Sequence, residues 1–302
     1  MSYIVIVIQQ LIVMFLLSLC GYILVKRKDL SGQTISEINK IITLYLTPLV
    51  VAKSFLGDFS SEQLVQLLYG MGLYLIFTLM RLFGMRWLYG RYNKTIDQYA
   101  VIFGNTGFIG IPLTLAVFGE DYLFLTTGMM LVNNLLNWTV GIPMLTTKSQ
   151  PMKLWQNPMI IGLGIGMIFI VTGATLPPVL DSILSTLTSL YTPLAMVCLG
   201  SYFVDFSLKD YFSSRRMWQV IFFRLFFFPA IVLAVVLLIP SLDYHTGFVL
   251  VMLQAGPSAM TTAIFSHLYG GDYAHGAKLV FGTTLMSIVS IPLMLYFYNL
   301  LF

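Results

Sequence analysis

Ten apolar stretches follow one another along this chain with only short polar punctuation between them: 4–25, 34–56, 62–86, 98–119, 122–147, 157–174, 181–204, 216–239, 245–268 and 273–301. A bilayer core about 30 Å thick takes roughly 20 apolar residues of helix per crossing, so the pattern predicts a transmembrane helix in each stretch. A water-facing surface is excluded by the scarcity of charge. Only 9% of the 302 residues are charged, where a soluble domain carries roughly 25%. No stretch is polar enough to form a soluble insert. The expected class is an all-α integral membrane protein.

The formal net charge of +4 does not call for a nucleic-acid partner, because the basic residues lie in the short connections. Lys26, Arg27, Lys28, Arg86, Arg91, Lys94, Lys148, Lys153, Lys209, Arg215, Arg216 and Lys278 fall on one side if the spans number ten, which is twelve of the sixteen Lys and Arg residues. The opposite connections hold Lys53 with Asp58, Glu62, Glu120, Asp121, Asp181 and Asp243. The basic side is therefore expected to be cytoplasmic, with both termini extracytoplasmic and a multi-pass placement in the cell membrane. The run from Ile4 to Val25 lacks a basic leader and a small-residue cleavage site, so it reads as a retained first helix. Cys20 and Cys198 have no metal or disulfide spacing and read as small core residues.

The chain repeats itself. Thr47-Pro48-Leu49 recurs as Thr192-Pro193-Leu194 and Pro112 as Pro257, both at an offset of 145. Arg81-Leu82-Phe83 recurs as Arg224-Leu225-Phe226 at 143, and Phe118-Gly119-Glu120-Asp121 resembles Tyr269-Gly270-Gly271-Asp272 at 151. Each unit holds five spans, an odd number, so the two halves are expected in opposite orientation. Inverted repeats of this kind point to a secondary transporter.

Two spans carry breaks. The fourth contains Asn105-Thr106-Gly107-Phe108-Ile109-Gly110-Ile111-Pro112, and the ninth contains Gln254-Ala255-Gly256-Pro257-Ser258. Proline removes a backbone donor and clashes with the preceding turn, and glycine loosens the helix further. Lipid cannot satisfy the freed backbone groups, so such a break survives only where it lines a protein-enclosed or watery cavity. Two matched breaks are expected to cross and aim the N-terminal ends of their second halves at an anion. Ser258, Thr261 and Thr262 are expected to add hydroxyls there. The plainer alternative is a pair of kinks that only shape the helices. Asn133, Asn134 and Asn137 in the fifth span place amides in the same region, 133 and 137 on one face. They serve either as substrate contacts or as inter-helix hydrogen-bonding glue.

Charged residues inside spans are functional candidates. Arg224, about two turns into the eighth span, could grip a carboxylate in bidentate fashion, as could Arg81 near the inner end of the third, although an Arg near a helix end also snorkels. Asp205 is the acid that best suits a coupling role, since its neighbours Ser201 to Val204 are neutral. His245, His267 and His275 lack metal spacing and read as interfacial. No cofactor or metal is expected.

The Asn-x-Gly-x-x-Gly-Ile-Pro segment at 105–112 resembles the fourth-helix signature of the auxin efflux carrier family, which includes plant auxin exporters and bacterial malate and malonate permeases. The resemblance extends to Asn157-Pro158, Pro48, Pro193 and Pro257, and covers nearly the whole chain. It implies ten transmembrane helices in two inverted five-helix repeats with broken crossover helices in the fourth and ninth places. It implies scaffold helices in 1–60 and 151–210 and transport-domain helices in 61–150 and 211–302, moving as an elevator. It implies a small organic anion as substrate, a proton or sodium ion as possible co-substrate, and a homodimer formed through the scaffold. Carried over by position, it implies Asn105, Gly107, Gly110 and Pro112 in one half, and Gln254, Gly256, Pro257 and Ser258 in the other. Only about ten residues join the fifth and sixth spans, unlike the long central loop of plant members, which favours a bacterial-type malate or malonate permease.

Two rival classes remain open within transport: a sodium-coupled bile-acid-type carrier of the same architecture and a passive anion channel built from re-entrant helices. An enzyme is not expected. Gly270-Gly271-Asp272 only superficially echoes an aspartyl-protease motif, and neither Gly-x-Ser-x-Gly nor His-Glu-x-x-His occurs.

Overall fold

The computed structural model describes residues 3–56, 60–90, 95–146, 157–173, 176–204, 214–268 and 271–302, the side chains of 267 and 268 excepted. Among these residues every named element is helical, and β-type pairing is confined to an isolated bridge. The helices are α1 (Tyr3–Lys26), α2 (Gly32–Lys53), α3 (Ser61–Tyr89), α4 (Thr95–Ile102), α5 (Thr106–Phe118) and α6 (Leu123–Leu136). They continue with α7 (Pro158–Thr172), α8 (Pro178–Ser201), α9 (Arg215–Leu237), α10 (Tyr244–Gln254), α11 (Thr261–Leu268) and α12 (Tyr273–Leu301). Six of them, α1, α2, α3, α8, α9 and α12, are long and apolar enough to cross a membrane, and α5 and α7 are shorter apolar helices. Helix occupies each of the ten apolar stretches, but the fourth and ninth are split into α4 with α5 and α10 with α11.

Polar caps set where the helices begin. Ser60 and Gln63 close a reciprocal capping box at the start of α3. Asn157 caps α7, Asp243 caps α10 and Asp272 caps α12, each accepting a first-turn amide through its side chain.

Four π-turns share one cause. Ile42–Leu46, Thr106–Gly110, Asn137–Gly141 and Phe222–Phe227 each run into an α-helical segment whose second residue is a proline, at Pro48, Pro112, Pro143 and Pro229. The missing proline amide removes one rung of the ladder, and the wider turn lets the chain pass the ring without ending the helix. Gly107, Gly110 and Pro112 accordingly lie inside a continuous π-to-α segment. The break in the fourth span falls earlier, at 103–105. In the ninth, Gly256 and Pro257 do sit in the break, at 255–260.

Burial is inverted relative to a soluble protein. Trp87 is 86% exposed, Val171 79% and Leu238 79%, whereas Arg81, Arg224, Gln98, Thr114, Thr126, Ser258 and Ser287 are fully buried. An apolar exterior over a polar interior is the arrangement a bilayer demands. Cys198 is buried as expected. Cys20 is exposed, on the outward face of α1, so its reading as a core residue does not hold: at a lipid-facing position a thiol is tolerated as one more small apolar group.

The helices pair across the two halves of the chain. α1 packs along α8 and α2 along α7. The first pair meets at glycines: a Cβ on Gly21 would strike the backbone of Val197, and one on Gly200 the backbone of Ser18. In α7, Gly162 lies against the Pro48 backbone and Gly166 against the Phe55 ring. Small residues permit this close approach where no hydrophobic effect drives association. A second body of contacts joins α3 to α6 and α10, α9 to α10 and α12, and α11 to α12.

Candidate functional site

The two breaks meet. Gly104 and Ser258 form an antiparallel bridge, flanked by hydrogen bonds from the Asn105 amide to the Pro257 carbonyl (2.9 Å) and from the Ala259 amide to the Phe103 carbonyl (2.9 Å). Each non-helical segment thus satisfies backbone groups that its own helix has released, as buried peptide groups require. The Ser258 hydroxyl donates to the Ala100 carbonyl (2.7 Å), and the Ser258 amide donates to the Thr283 hydroxyl (3.1 Å). Ser258 therefore lies in the break rather than in the first turn of α11, and its polar groups hold the crossing together.

Arg81 and Arg224 brace the crossing from α3 and α9. Arg81 Nη2 donates to the Gln254 carbonyl (2.6 Å), the last of α10. Arg224 Nε donates to the Gly256 carbonyl (2.8 Å), and its Nη1 to the carbonyls of Val101 (3.0 Å) and Ile102 (3.4 Å), the last of α4. A cation at a helix C-terminus opposes the negative end of the dipole. The pattern is reciprocal: the arginine of each half closes the broken helix of the other half. Gly104 makes this possible, because a Cβ there would collide with Arg224 Nη2. Neither arginine snorkels, and both are fully buried.

The asparagines of the fifth span are engaged. Asn133 Nδ2 donates to the Gly104 carbonyl (3.1 Å), and its Oδ1 accepts from the Tyr74 hydroxyl (3.1 Å). Asn137 opens a π-turn, accepts from the Tyr99 hydroxyl through Oδ1, and donates through Nδ2 to the Thr261 hydroxyl (3.0 Å). The Tyr99 and Thr261 hydroxyls also lie within hydrogen-bond distance of one another (2.9 Å). Asn134 accepts from Asn157 (2.7 Å), tying α6 to the start of α7. Gly107 lies beside the Tyr191 hydroxyl and Gly110 against Leu253, so α5 approaches α8 and α10 closely.

What is left over is chemically one-sided. Among the described residues, the buried side-chain nitrogens without a partner around the crossing are Asn105 Nδ2, Gln254 Nε2, Arg81 Nε and Nη1, and Arg224 Nη2. All five are donors. The Asn105 Oδ1, by contrast, caps the Phe108 amide (3.3 Å). Buried orphan donors are expensive unless an acceptor arrives, so chemically these atoms can serve an acceptor-rich group. Thr262, in the first turn of α11, also has a buried hydroxyl with no partner.

Other positions resolve differently. Asp205 lies outside the described residues, as does Asp58. His245 stacks on Tyr122, with ring centroids 4.1 Å apart, in an aromatic cluster with Phe118. His275 is not merely interfacial. Its Nε2 lies 2.5 Å from Oδ1 of buried Asp97, while Arg216 Nε and Nη2 reach Asp97 Oδ2 at 2.9 and 2.8 Å. Sequence reasoning missed Asp97, whose polar neighbours Thr95 and Gln98 made it look like connection, and it missed Gly104, Tyr74 and Tyr99. No group of three or more potential metal ligands occurs among the described residues.

A family model described as "Membrane transport protein" matches residues 6–156 and again 144–295. The chain is also 31% identical over 206 residues to the uncharacterized transporter MJ1031 of Methanocaldococcus jannaschii. That similarity spans 63% of this chain and 64% of the relative's length.

Proposed function

The chain belongs to the membrane transport protein family of auxin efflux carriers, and from that premise we propose that it is a secondary active carrier of small organic anions, with malate- and malonate-type carboxylates as substrates. The observation that carries this reading is the hydrogen-bonded crossing of two broken helices, around which five buried side-chain nitrogens, all donors, have no partner among the described residues. Carboxylates are acceptor-only when ionised, and the amides of Asn105 and Gln254 with the helix ends beside them supply what such a group needs.

Ten membrane crossings in two inverted repeats are part of the proposal. The reciprocal pairings support it. The first helix packs on the seventh apolar stretch and the second on the sixth, which are equivalent pairs if the halves are related by a twofold axis in the membrane plane. The exchange of arginine contacts between halves obeys the same relation. On this reading α1, α2, α7 and α8 form a scaffold that dimerises in the cell membrane. The other helices form a transport domain that slides as an elevator, and both chain ends face outward. Asn105, Gly107, Gly110, Pro112, Gln254, Gly256, Pro257, Ser258 and Thr261 then build or line the substrate site, with Asn133 and Asn137 fixing its walls.

Uptake of labelled malate and malonate into proteoliposomes tests the proposal. Saturable uptake that overshoots under an imposed proton or sodium gradient is the expected result, and the effective gradient names the coupling ion. Flux that never saturates with concentration would overturn it in favour of a channel.

A further inference from the structure

The charge around the crossing is unbalanced in a specific way. Arg81 and Arg224 are both fully buried and near enough for each charge to act on the other and on Tyr74. Among the described residues neither forms an ion pair with a carboxylate: the ion pairs there join Asp29, Glu120, Asp97 and Asp243 to Arg27, Lys53, Arg216, His245 and His275. Their partners are main-chain carbonyls at the ends of α4 and α10 and at Gly256 in the break. Helix ends carry roughly half an elementary charge each. The negative ends of α4 and α10 are therefore offset by the positive ends of α5 and α11, which start at the same crossing. No carboxylate among the described residues compensates the two guanidinium charges, and roughly two positive charges in a buried interior call for two negative ones.

The donors divide in the same way. Each guanidinium uses part of its fork to hold the opposite half-helix and keeps part without a partner among the described residues: Nε and Nη1 on Arg81, Nη2 on Arg224. Bonds through Nε and Nη1 fix the plane of the Arg224 fork and a bond through Nη2 anchors Arg81, so a carboxylate meets a positioned donor set.

We propose that Arg81 and Arg224 are the specificity-determining pair that selects a substrate by its number of negative charges, one carboxylate to each guanidinium. The inference rests on the crossing being the substrate site. A monoanion leaves one buried arginine uncompensated, whereas a dianion neutralises both. Because the two arginines occupy equivalent places in the repeat, both ends of the substrate meet the same chemistry.

The test compares malonate with its monomethyl ester, which differ by one charge, in proteoliposomes of the full-length protein. Wild type is expected to favour malonate in kcat/KM by at least about tenfold. R81Q and R224Q are each expected to compress that ratio to within about threefold, mainly through loss of malonate. R224K keeps the charge without the fork and is expected to retain the preference at a higher KM. A purely structural role would lower both substrates together and leave the ratio unchanged, which overturns the inference. So does a wild type that takes both compounds equally well, a result that needs no variant to fold. Saturable wild-type transport with no charge preference leaves the crossing as the substrate site and removes only the charge selection. Wild type that moves neither compound nor any other carboxylate overturns both readings.

Discussion

The backbone amide of Asn105 donates to the carbonyl of Pro257 over 2.9 Å, so each broken helix completes the other at the point where both lose their own ladder. This contact joins residues 152 positions apart by their sequence numbers, and everything distinctive about the interior is built around it.

The side chains of Asn105 and Gln254 present buried donors that nothing among the described residues accepts. Asn105→Ala and Gln254→Ala are expected to abolish anion uptake while the protein remains folded and monodisperse in detergent. Gln254→Leu removes an orphan donor at nearly constant volume, so thermal stability is expected to hold or rise, by up to about 1–3 kcal/mol, as transport is lost. Thermal unfolding measured beside uptake checks this. A variant that is less stable yet fully active contradicts it.

Gly104 leaves the space that Arg224 Nη2 fills. Gly104→Ala is expected to lower stability by roughly 1–3 kcal/mol through overpacking and to reduce transport by displacing the guanidinium. Adding Arg224→Lys should recover part of the lost stability, since the narrower head group relieves the collision. Strict additivity of the two substitutions in a double-mutant cycle would show that the contact carries no coupling.

Asn137 reads as glue, because both ends of its amide are taken by Tyr99 and Thr261. Tyr99→Phe and Asn137→Ala are each expected to destabilise by about 1–3 kcal/mol, and the double variant by clearly less than the sum. KM for the anion should move little in Tyr99→Phe. A large KM change without loss of stability would instead place this triad in direct contact with substrate.

Asp97 ties the start of α4 to Arg216 of α9 and His275 of α12. Asp97→Asn is expected to cost roughly 1.5–3 kcal/mol, the range for hydrogen bonds to a charged group. The partly exposed Arg216 can turn to water afterwards, which keeps the loss below that of a fully buried pair. Chemical denaturation in detergent, compared with His275→Ala, measures it. No change in midpoint would mean the cluster contributes nothing to holding the three helices together.

The helices were legible because lipid imposes a single rule, long predominantly apolar runs, and the runs at 4–25 and 273–301 obey it. The location of the breaks was only half legible. Pro112 looked like the break in the fourth span, yet a π-turn absorbs it and the chain opens at 103–105, because the facing non-helical segment at Ser258 offers backbone partners there. Arg81 and Arg224 stood out as intramembrane charges, but their role in closing helix ends depends on contacts across 173 and 123 residues, which no local pattern reports. Gly104 was invisible for the same reason: a glycine chosen for a distant arginine looks like any other. Asp97 was hidden by polar neighbours at the edge of its span.

Exchange of labelled malonate across proteoliposome membranes, measured for wild type and Gln254→Ala, tests the central claim most directly. A carrier that binds its anion at the crossing is expected to show uptake accelerated several-fold by unlabelled malonate inside, with the acceleration gone in the variant. Uptake indifferent to internal malonate, or equal in the two proteins, would contradict a carrier site at the crossing of the two broken helices.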